Sequence, residues 1–166
     1  GGTPRDEMPL IMDPGKFDVI LSAFNYDLLW RDAEKGIIPT ARKHNMGLVC
    51  GSPLHQGMLA RIYRKDVIEN PVAQLHPERR KQLIALYELV HDLKIALPEL
   101  AIRFLLSNPE VSTVLTGIRN IAELESNVEA ANKGPLPPDI LNHLQTVFMI
   151  CPERPAGEPV TVRFAD

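Results

Sequence analysis

Three short apolar runs punctuate the chain, and helical periodicity follows each of them. The first, Val19 to Leu21 within FDVILSAFNY, is flanked by Asp18 and Asn25. The second is GLVCGSPL, ending in Gly-Ser-Pro, and the third is VSTVLTG. Unbroken apolar runs this short predict strands buried on both faces, here near 18–22, 47–51 and 112–116. Between them the apolar residues recur at helical spacing. WRDAEKGIIPTARKHNM aligns Ala33, Ile37, Ile38 and Ala41, with Asp32 as candidate N-cap and Pro39 weakening the helix. PERRKQLIALYELVHDLKI sets Leu83, Leu86, Leu89, Val90 and Leu93 on one side. LPELAIRFLLSNP has Pro98 in its first turn and Asn108-Pro109 as its stop. NIAELESNVEAANKG closes on Gly134 at the C-cap position, and PPDILNHLQTVFMI is a last helix. Residues 1–16 read as a lead-in with a short helix around Asp6–Met12, 60–77 as a polar loop and 151–166 as a tail.

The resulting order is β-α-β-α-α-β-α-α. Strands alternating with helices predict an α/β fold with parallel strands in a single domain, 1–166. Three parallel strands leave both edges open, so the pattern fits part of a larger α/β architecture.

Composition narrows the function classes. At 166 residues there is enough chain for one core, and an apolar share of 45% with 23% charged is that of a globular protein. The net charge of −3, with scattered basic residues, argues against a nucleic-acid surface. Two cysteines, Cys50 and Cys151, are too few for a disulfide framework, and a cytosolic (cytoplasmic) location is expected. His44, His55, His76, His91 and His143 show no metal-ligand spacing, so no metal is expected. No apolar run reaches the ~20 residues of a membrane span, and no signal-peptide pattern is present. The opening Gly1-Gly2-Thr3-Pro4 leaves three origins open: an expression remnant, a processing site or the middle of a longer protein.

Residues 111–127, VSTVLTGIRNIAELESN, carry the most chemistry. A strand stops at Gly117 and a helix begins three residues later. This is either a tight βα turn or a helix N-terminus opened toward a phosphate or an adenosine. Arg119 and Glu123, four apart, are either an ion pair at the helix start or part of that site. Gly51-Ser52-Pro53-Leu54 is likewise a Pro-fixed turn or a phosphate cradle, in which Gly51 permits close backbone approach and Ser52 donates a hydrogen bond. His55 and Gln56 face either substrate or solvent, and a lone loop histidine is more often at solvent.

FDVILSAFNYDLL, GLVCGSPLHQGMLA and LAIRFLLSNPEVSTVLTGIRNIAELESNVEAA stand in the order and approximate spacing of the final three strands of the aldo-keto reductase family. The stretch from Phe17 to Val147 resembles that family, and within it the branch of L-galactose dehydrogenase and the D-threo-aldose dehydrogenases. The resemblance implies a portion of a (β/α)8 TIM barrel, about its last three β/α units over 17–150 plus a C-terminal helix, with ligands at the C-terminal ends of the strands. It implies that Ser52, Pro53, Leu54 and Gly57, with Gly51 before them, wrap a cofactor diphosphate. It places Gly117, Arg119 and Glu123 at the adenosine ribose, and Asn127 at the adenine amino group. Ser22 and Asn25 fall where the family holds the nicotinamide carboxamide. The chain departs from the pattern at Gly51, where an aromatic residue often stands, at Glu123, often glutamine or arginine, and at Ser126, usually glutamate. A carboxylate at Glu123 repels a 2′-phosphate and accepts from a 2′-hydroxyl, which favours NAD slightly over NADP, although Arg119 pulls the other way.

The family's catalytic set of Asp, Tyr, Lys and His belongs to the first half of the barrel, and no catalytic residue is assigned here; Tyr26, Tyr63 and Tyr87 lack the expected context. Two readings follow. In the first, the chain is the cofactor-binding part of an NAD(P)-dependent aldo-keto reductase, an aldose dehydrogenase acting on a sugar or another small carbonyl. In the second, it is a non-catalytic truncated module for nucleotide binding or assembly. A third, another (β/α)8 enzyme gripping a phosphate with its last two loops, leaves Leu124-Glu125-Ser126-Asn127 unexplained. The expected partner is a small-molecule substrate, with self-association or a missing N-terminal half left open, and neither nucleic acid nor membrane.

Overall fold

The computed structural model describes residues 4–165. Three strands, β1 (Val19–Ala23), β2 (Gly47–Gly51) and β3 (Val111–Leu115), form one parallel sheet in the order β1-β2-β3. All three coincide with the predicted runs to within one residue. Six α-helices accompany them: α1 (Glu7–Met12), α2 (Ile37–Lys43), α3 (Pro77–Leu93), α4 (Leu97–Leu106), α5 (Ile121–Asn132) and α6 (Pro138–Phe148).

The two faces of the sheet differ, which corrects the expectation of strands buried on both sides. Ile20 and Ser22 pair in register with Leu48 and Cys50, and all four are buried. On the opposite face Val19, Thr113 and Leu115 are exposed, and Leu21, Ala23 and Val49 half-exposed. Adjacent residues of a strand point to opposite faces, so one covered face gives alternation even in an apolar run. Gly51 sits on the open face beside Ala23. A Cβ added there would lie 3.3 Å from that of Ala23, so the glycine permits the close strand approach.

The span read as one helix, 30–46, is divided. Asp32–Lys35 forms a tight 3-10 turn, and Gly36 separates it from α2. Asp32 is therefore not the N-cap of a long helix; it is buried and pairs with Arg5 at 3.2 Å and with Arg154. Pro39 lies in the first turn of α2, where the missing N–H costs nothing. Within the predicted 60–77 loop, Lys65–Glu69 makes a single wide helical turn.

Helix α3 buries Leu83, Leu86 and Val90 as its periodicity implies, and also Arg79, Gln82 and Tyr87. Arg79 reaches Glu158 through Nε (2.7 Å) and Nη2 (3.0 Å), and donates to the carbonyls of Leu29 (2.8 Å) and Cys151 (3.3 Å) and to Gln82. Side chains at this pair are only 1% and 4% exposed. Trp30 Nε1 donates to the same Glu158 carboxylate at 3.0 Å. The segment after Cys151, expected as a tail, has no regular element yet is docked. Arg154 stacks on the Trp30 ring, 3.7 Å from its centroid, and donates to the Phe24 carbonyl. Val162 is buried, and Phe164 packs on Tyr63 with ring centroids 4.6 Å apart.

Candidate functional site

Parallel strands aim their C-terminal ends to one side, and the connections leaving β2 and β3 meet there. They enclose a cleft of about 950 Å³. One wall is the loop after β2, with Ser52, Pro53, Leu54 and Gly57, continued by Arg61 and Tyr63. The other is the turn after β3 and the first half of α5, with Gly117, Arg119, Asn120, Glu123 and Asn127. Glu99 at the start of α4 and Lys133 at the end of α5 close the far end. The volume lies within the ~300–1,000 Å³ usual for small-molecule and cofactor sites.

The first wall is backbone held in an uncommon conformation. Ser52, His55 and Gln56 have φ of 62°, 46° and 53°, and Gly57 follows at 99°. Non-glycine residues adopt this left-handed region at a cost, so something must hold them. His55 supplies a tether. It is not at solvent, as a lone loop histidine suggested, but buried at 1% exposure, with Nδ1 2.8 Å from Asp27 Oδ2. Asp27 is itself 0% exposed, and its Oδ1 accepts from the backbone N–H groups of Leu29 (2.7 Å) and Trp30 (2.9 Å). The Trp30 ring meets the imidazole edge-to-face at 4.2 Å. This pair ties the loop after β1 to the loop after β2. Their 28-residue separation in sequence offered no signal for it. A second tether is Tyr63, whose hydroxyl donates to the Gly57 carbonyl at 2.9 Å.

The second wall begins at a capped helix. Asn120 accepts from the Glu123 N–H at 2.9 Å, and Glu123 returns its carboxylate to the Arg119 backbone N–H at 2.9 Å. The same carboxylate receives the Arg119 guanidinium through Nε (2.9 Å) and Nη2 (2.6 Å). Arg119 and Glu123 therefore do form the ion pair that their spacing allows. Hydrogen bonds from Arg119 hold the Glu123 carboxyl below the usual glutamate range. Asn127 Nδ2 donates to Thr116 Oγ1 at 3.2 Å, fixing that side chain against the end of β3. At the far end, Lys133 bonds Glu99 (2.9 Å) and Glu129 (3.2 Å), while Arg103 takes the other Glu99 oxygen at 3.0 Å. Burial pushes the Glu99 carboxyl up, and these cations outweigh it, leaving it below its ordinary value.

The cleft thus brings together Ser52, Pro53, Leu54, Gly57, Gly117, Arg119, Glu123 and Asn127. Gly51 lies one residue before its wall, at the end of β2. Ser22 and Asn25 are not among its lining residues. Both are buried, Asn25 Nδ2 donates to Ser22 Oγ at 3.0 Å, and Arg154 Nη2 donates to Asn25 Oδ1 at 3.0 Å. Arg61, Glu99 and Lys133 line the cleft without having been singled out in the sequence, because they come from three separate places, the loop after β2, the start of α4 and the end of α5; Tyr63, named above only as a tyrosine without catalytic context, lines it beside Arg61.

Other reactive groups are engaged elsewhere. Burial raises the Cys50 thiol to about 12, so it stays protonated, and Cys151 is also a buried free thiol. Among the described residues no three His, Cys, Asp or Glu side chains could share a metal ion, and no helix is long and apolar enough to cross a membrane.

Comparison with known proteins places this geometry in a family. The chain is 28% identical over 135 residues to a probable voltage-gated potassium channel subunit beta of Arabidopsis thaliana, covering 74% of this chain and 41% of that protein. It is 28% identical over 139 residues to L-galactose dehydrogenase of Arabidopsis thaliana, covering 80% and 40%. It is 27% identical over 131 residues to D-threo-aldose 1-dehydrogenase of a Pseudomonas species, covering 79% and 40%. The chain thus spans about two-fifths of the length of these curated relatives. The profile of the Aldo/keto reductase family matches residues 3–147, most of the sequence including all three strands and both walls of the cleft, and the chain belongs to that family.

Proposed function

We propose that the chain is the cofactor-binding wall of an NAD(P)-dependent aldo-keto reductase acting on a sugar or another small alcohol/carbonyl pair. The observation that carries this is the cleft between the Ser52–Gly57 loop and the Gly117–Asn127 turn. The fit is chemical as well as spatial. The Ser52 hydroxyl and left-handed loop form one polar wall, and the capped helix start forms the other. With Nδ2 committed to Thr116, Asn127 keeps its carbonyl Oδ1 to accept from an adenine amino group. Glu123 cancels the charge of Arg119 and presents a carboxylate to a ribose 2′ position, which suits a hydroxyl better than a phosphate. NAD is therefore used at least as well as NADP.

The nicotinamide supplies the hydride carrier; the proton needs a separate acid/base group. The tyrosines of this chain do not suit that role. Burial raises Tyr26 to about 12, and its hydroxyl accepts from Asn108 at 3.0 Å. Tyr63 is bonded to Gly57, and the Tyr87 hydroxyl accepts from the Tyr63 N–H at 3.4 Å. We place proton transfer outside this chain, in further strand–helix units of a complete barrel. The same observation supports the runner-up, a nucleotide-binding module without turnover of its own, and one relative is named as a channel subunit.

Calorimetric titration of the chain with NAD and NADP, beside a turnover assay on a sugar panel, tests the reading. Saturable binding without turnover is expected. No binding of either nucleotide at millimolar concentration sinks the cofactor wall, and robust turnover sinks the placement of the proton-transfer group.

A further inference from the structure

Three enclosed side-chain polar atoms lack a hydrogen bond among the described residues: Arg31 Nε, Asp32 Oδ2 and Arg154 Nε. The last two face each other in an ion pair, so their charges cancel. Arg31 has no such counterpart. It is 7% exposed and forms no ion pair among the described residues; Glu34 and Asp27 act on it only through space, and Asp27 is committed to His55. Burying a charge without a counter-charge is unfavourable. Two aromatic rings offset part of that cost: the guanidinium carbon lies 4.6 Å from the Phe104 ring centroid and 4.2 Å from that of Phe148. Such contacts use the faces of the guanidinium and leave its N–H edge. On that edge, Nη1 donates to Gln145 Oε1 (2.6 Å) and Nη2 to the Leu144 carbonyl (3.4 Å). The other N–H groups of the fork are unspent.

Arg31 lines an open crevice of about 460 Å³ between the segment after β1, the turn from α4 to β3, and α6. Internal bonding leaves donors over in this crevice. Tyr26 accepts from Asn108 at 3.0 Å, and no described residue accepts its own O–H. Burial raises that hydroxyl to about 12, so it keeps its proton. Asn108 Oδ1 is taken by the Glu110 N–H and Gln145 Oε1 by Arg31, which leaves the Gln145 side-chain N–H groups to solvent or a guest. Phe104, Pro109 and Leu141 supply apolar surface. We infer that this crevice binds a small carboxylic acid with an apolar body, the carboxylate on the Arg31 fork and the Gln145 amide, the body on Phe104, Pro109 and Leu141. A planar carboxylate matches a guanidinium edge with both oxygens at once. Inorganic phosphate has no body to place on the apolar half. The inference does not rest on the nucleotide reading, because the crevice shares no lining residue with the cleft.

The test titrates the full chain with sodium benzoate, following the amide signals of α6 by heteronuclear NMR, with benzamide and inorganic phosphate as comparisons. Benzoate is expected to give saturable shifts. Benzamide, which has the ring without the charge, should bind at least about tenfold more weakly, the scale of a charge-assisted hydrogen bond. Phosphate should also bind more weakly than benzoate. Gln145→Glu sets a carboxylate against Arg31 with little change of shape. It should raise the melting temperature and weaken benzoate at least about tenfold. Asn142→Trp, at an exposed position on the crevice wall, should obstruct the crevice and weaken benzoate without lowering the melting temperature. The inference falls if benzoate gives no saturable shift, if benzamide binds as tightly, or if Gln145→Glu binds benzoate like the unaltered chain. Phosphate binding as tightly as benzoate overturns it as well, since the apolar body then contributes nothing.

Discussion

Two regions of this molecule invert the usual distribution of polar and apolar groups. Around Trp30, polar side chains are buried: Asp27 with His55, and Arg79 with Glu158 and Gln82. Along β3 and α5, apolar side chains are exposed: Leu115, Ile118, Ile121, Leu124 and Val128, with Ile121 at 73%. Buried polar groups persist only when they are hydrogen-bonded, and these five side chains are. Exposed apolar residues spaced 121, 124, 128 along one helix form a stripe that no described residue covers, and stripes of this kind mark surfaces that meet something else. The first region is finished inside this chain. The second has the character of an interior layer, which agrees with the proposal that further strand–helix units complete a barrel on the open face.

The largest expected effect breaks the finished region. Arg79→Ala leaves Glu158 buried without its cation and should cost ~3–5 kcal/mol of stability in urea unfolding followed by circular dichroism. A loss below about 1 kcal/mol would show that the segment after Cys151 is not docked in solution. Next comes a contrast between leucines. Leu100 is fully buried in α4, and Leu100→Ala should cost about 2–5 kcal/mol. Leu124→Ala on the stripe should stay within ~0.5 kcal/mol. Comparable losses at the two positions would mean that the stripe is covered in the isolated chain, for instance by a second copy.

The smallest effect concerns the cleft. The folded-state pKa of Glu123 is depressed by Arg119. Its contribution is therefore present above the unfolded-state pKa and is lost as pH falls through the folded one. Glu123→Gln should lower the melting temperature slightly at neutral pH, and the difference from the unaltered chain should close in the acid range. Because the pair is solvent-accessible, added salt should shrink it as well. The same substitution should tighten NADP while leaving NAD little changed. An unaltered NADP affinity would place the Glu123 carboxylate away from the ribose.

The three strands and their parallel order were legible because short apolar runs and helical periodicity are local signals, written in neighbouring residues. Family membership was legible for the same reason: three motifs in order lie within contiguous stretches. The cleft residues Ser52 to Gly57 and Gly117 to Asn127 followed from those motifs. Ser22 and Asn25 also followed from a motif; in the structure Asn25 bonds both Ser22 and Arg154, and neither Ser22 nor Asn25 is among the residues lining the cleft.

By itself, then, the chain's sequence determined which segments become strands and helices and which family's loops connect them. Only the tertiary structure decided which charges cancel. Arg61 and Arg119 are equivalent letters in the sequence, but one meets Glu123 and the other an aromatic ring. His55 became a buried tether because Asp27, 28 residues earlier, arrives beside it when β1 and β2 pair. Arg79 became the hub of a buried network because the segment beyond Cys151 returns across α3. Electrostatic roles depend on distance and burial, and both are properties of the packed chain, not of any local stretch of it.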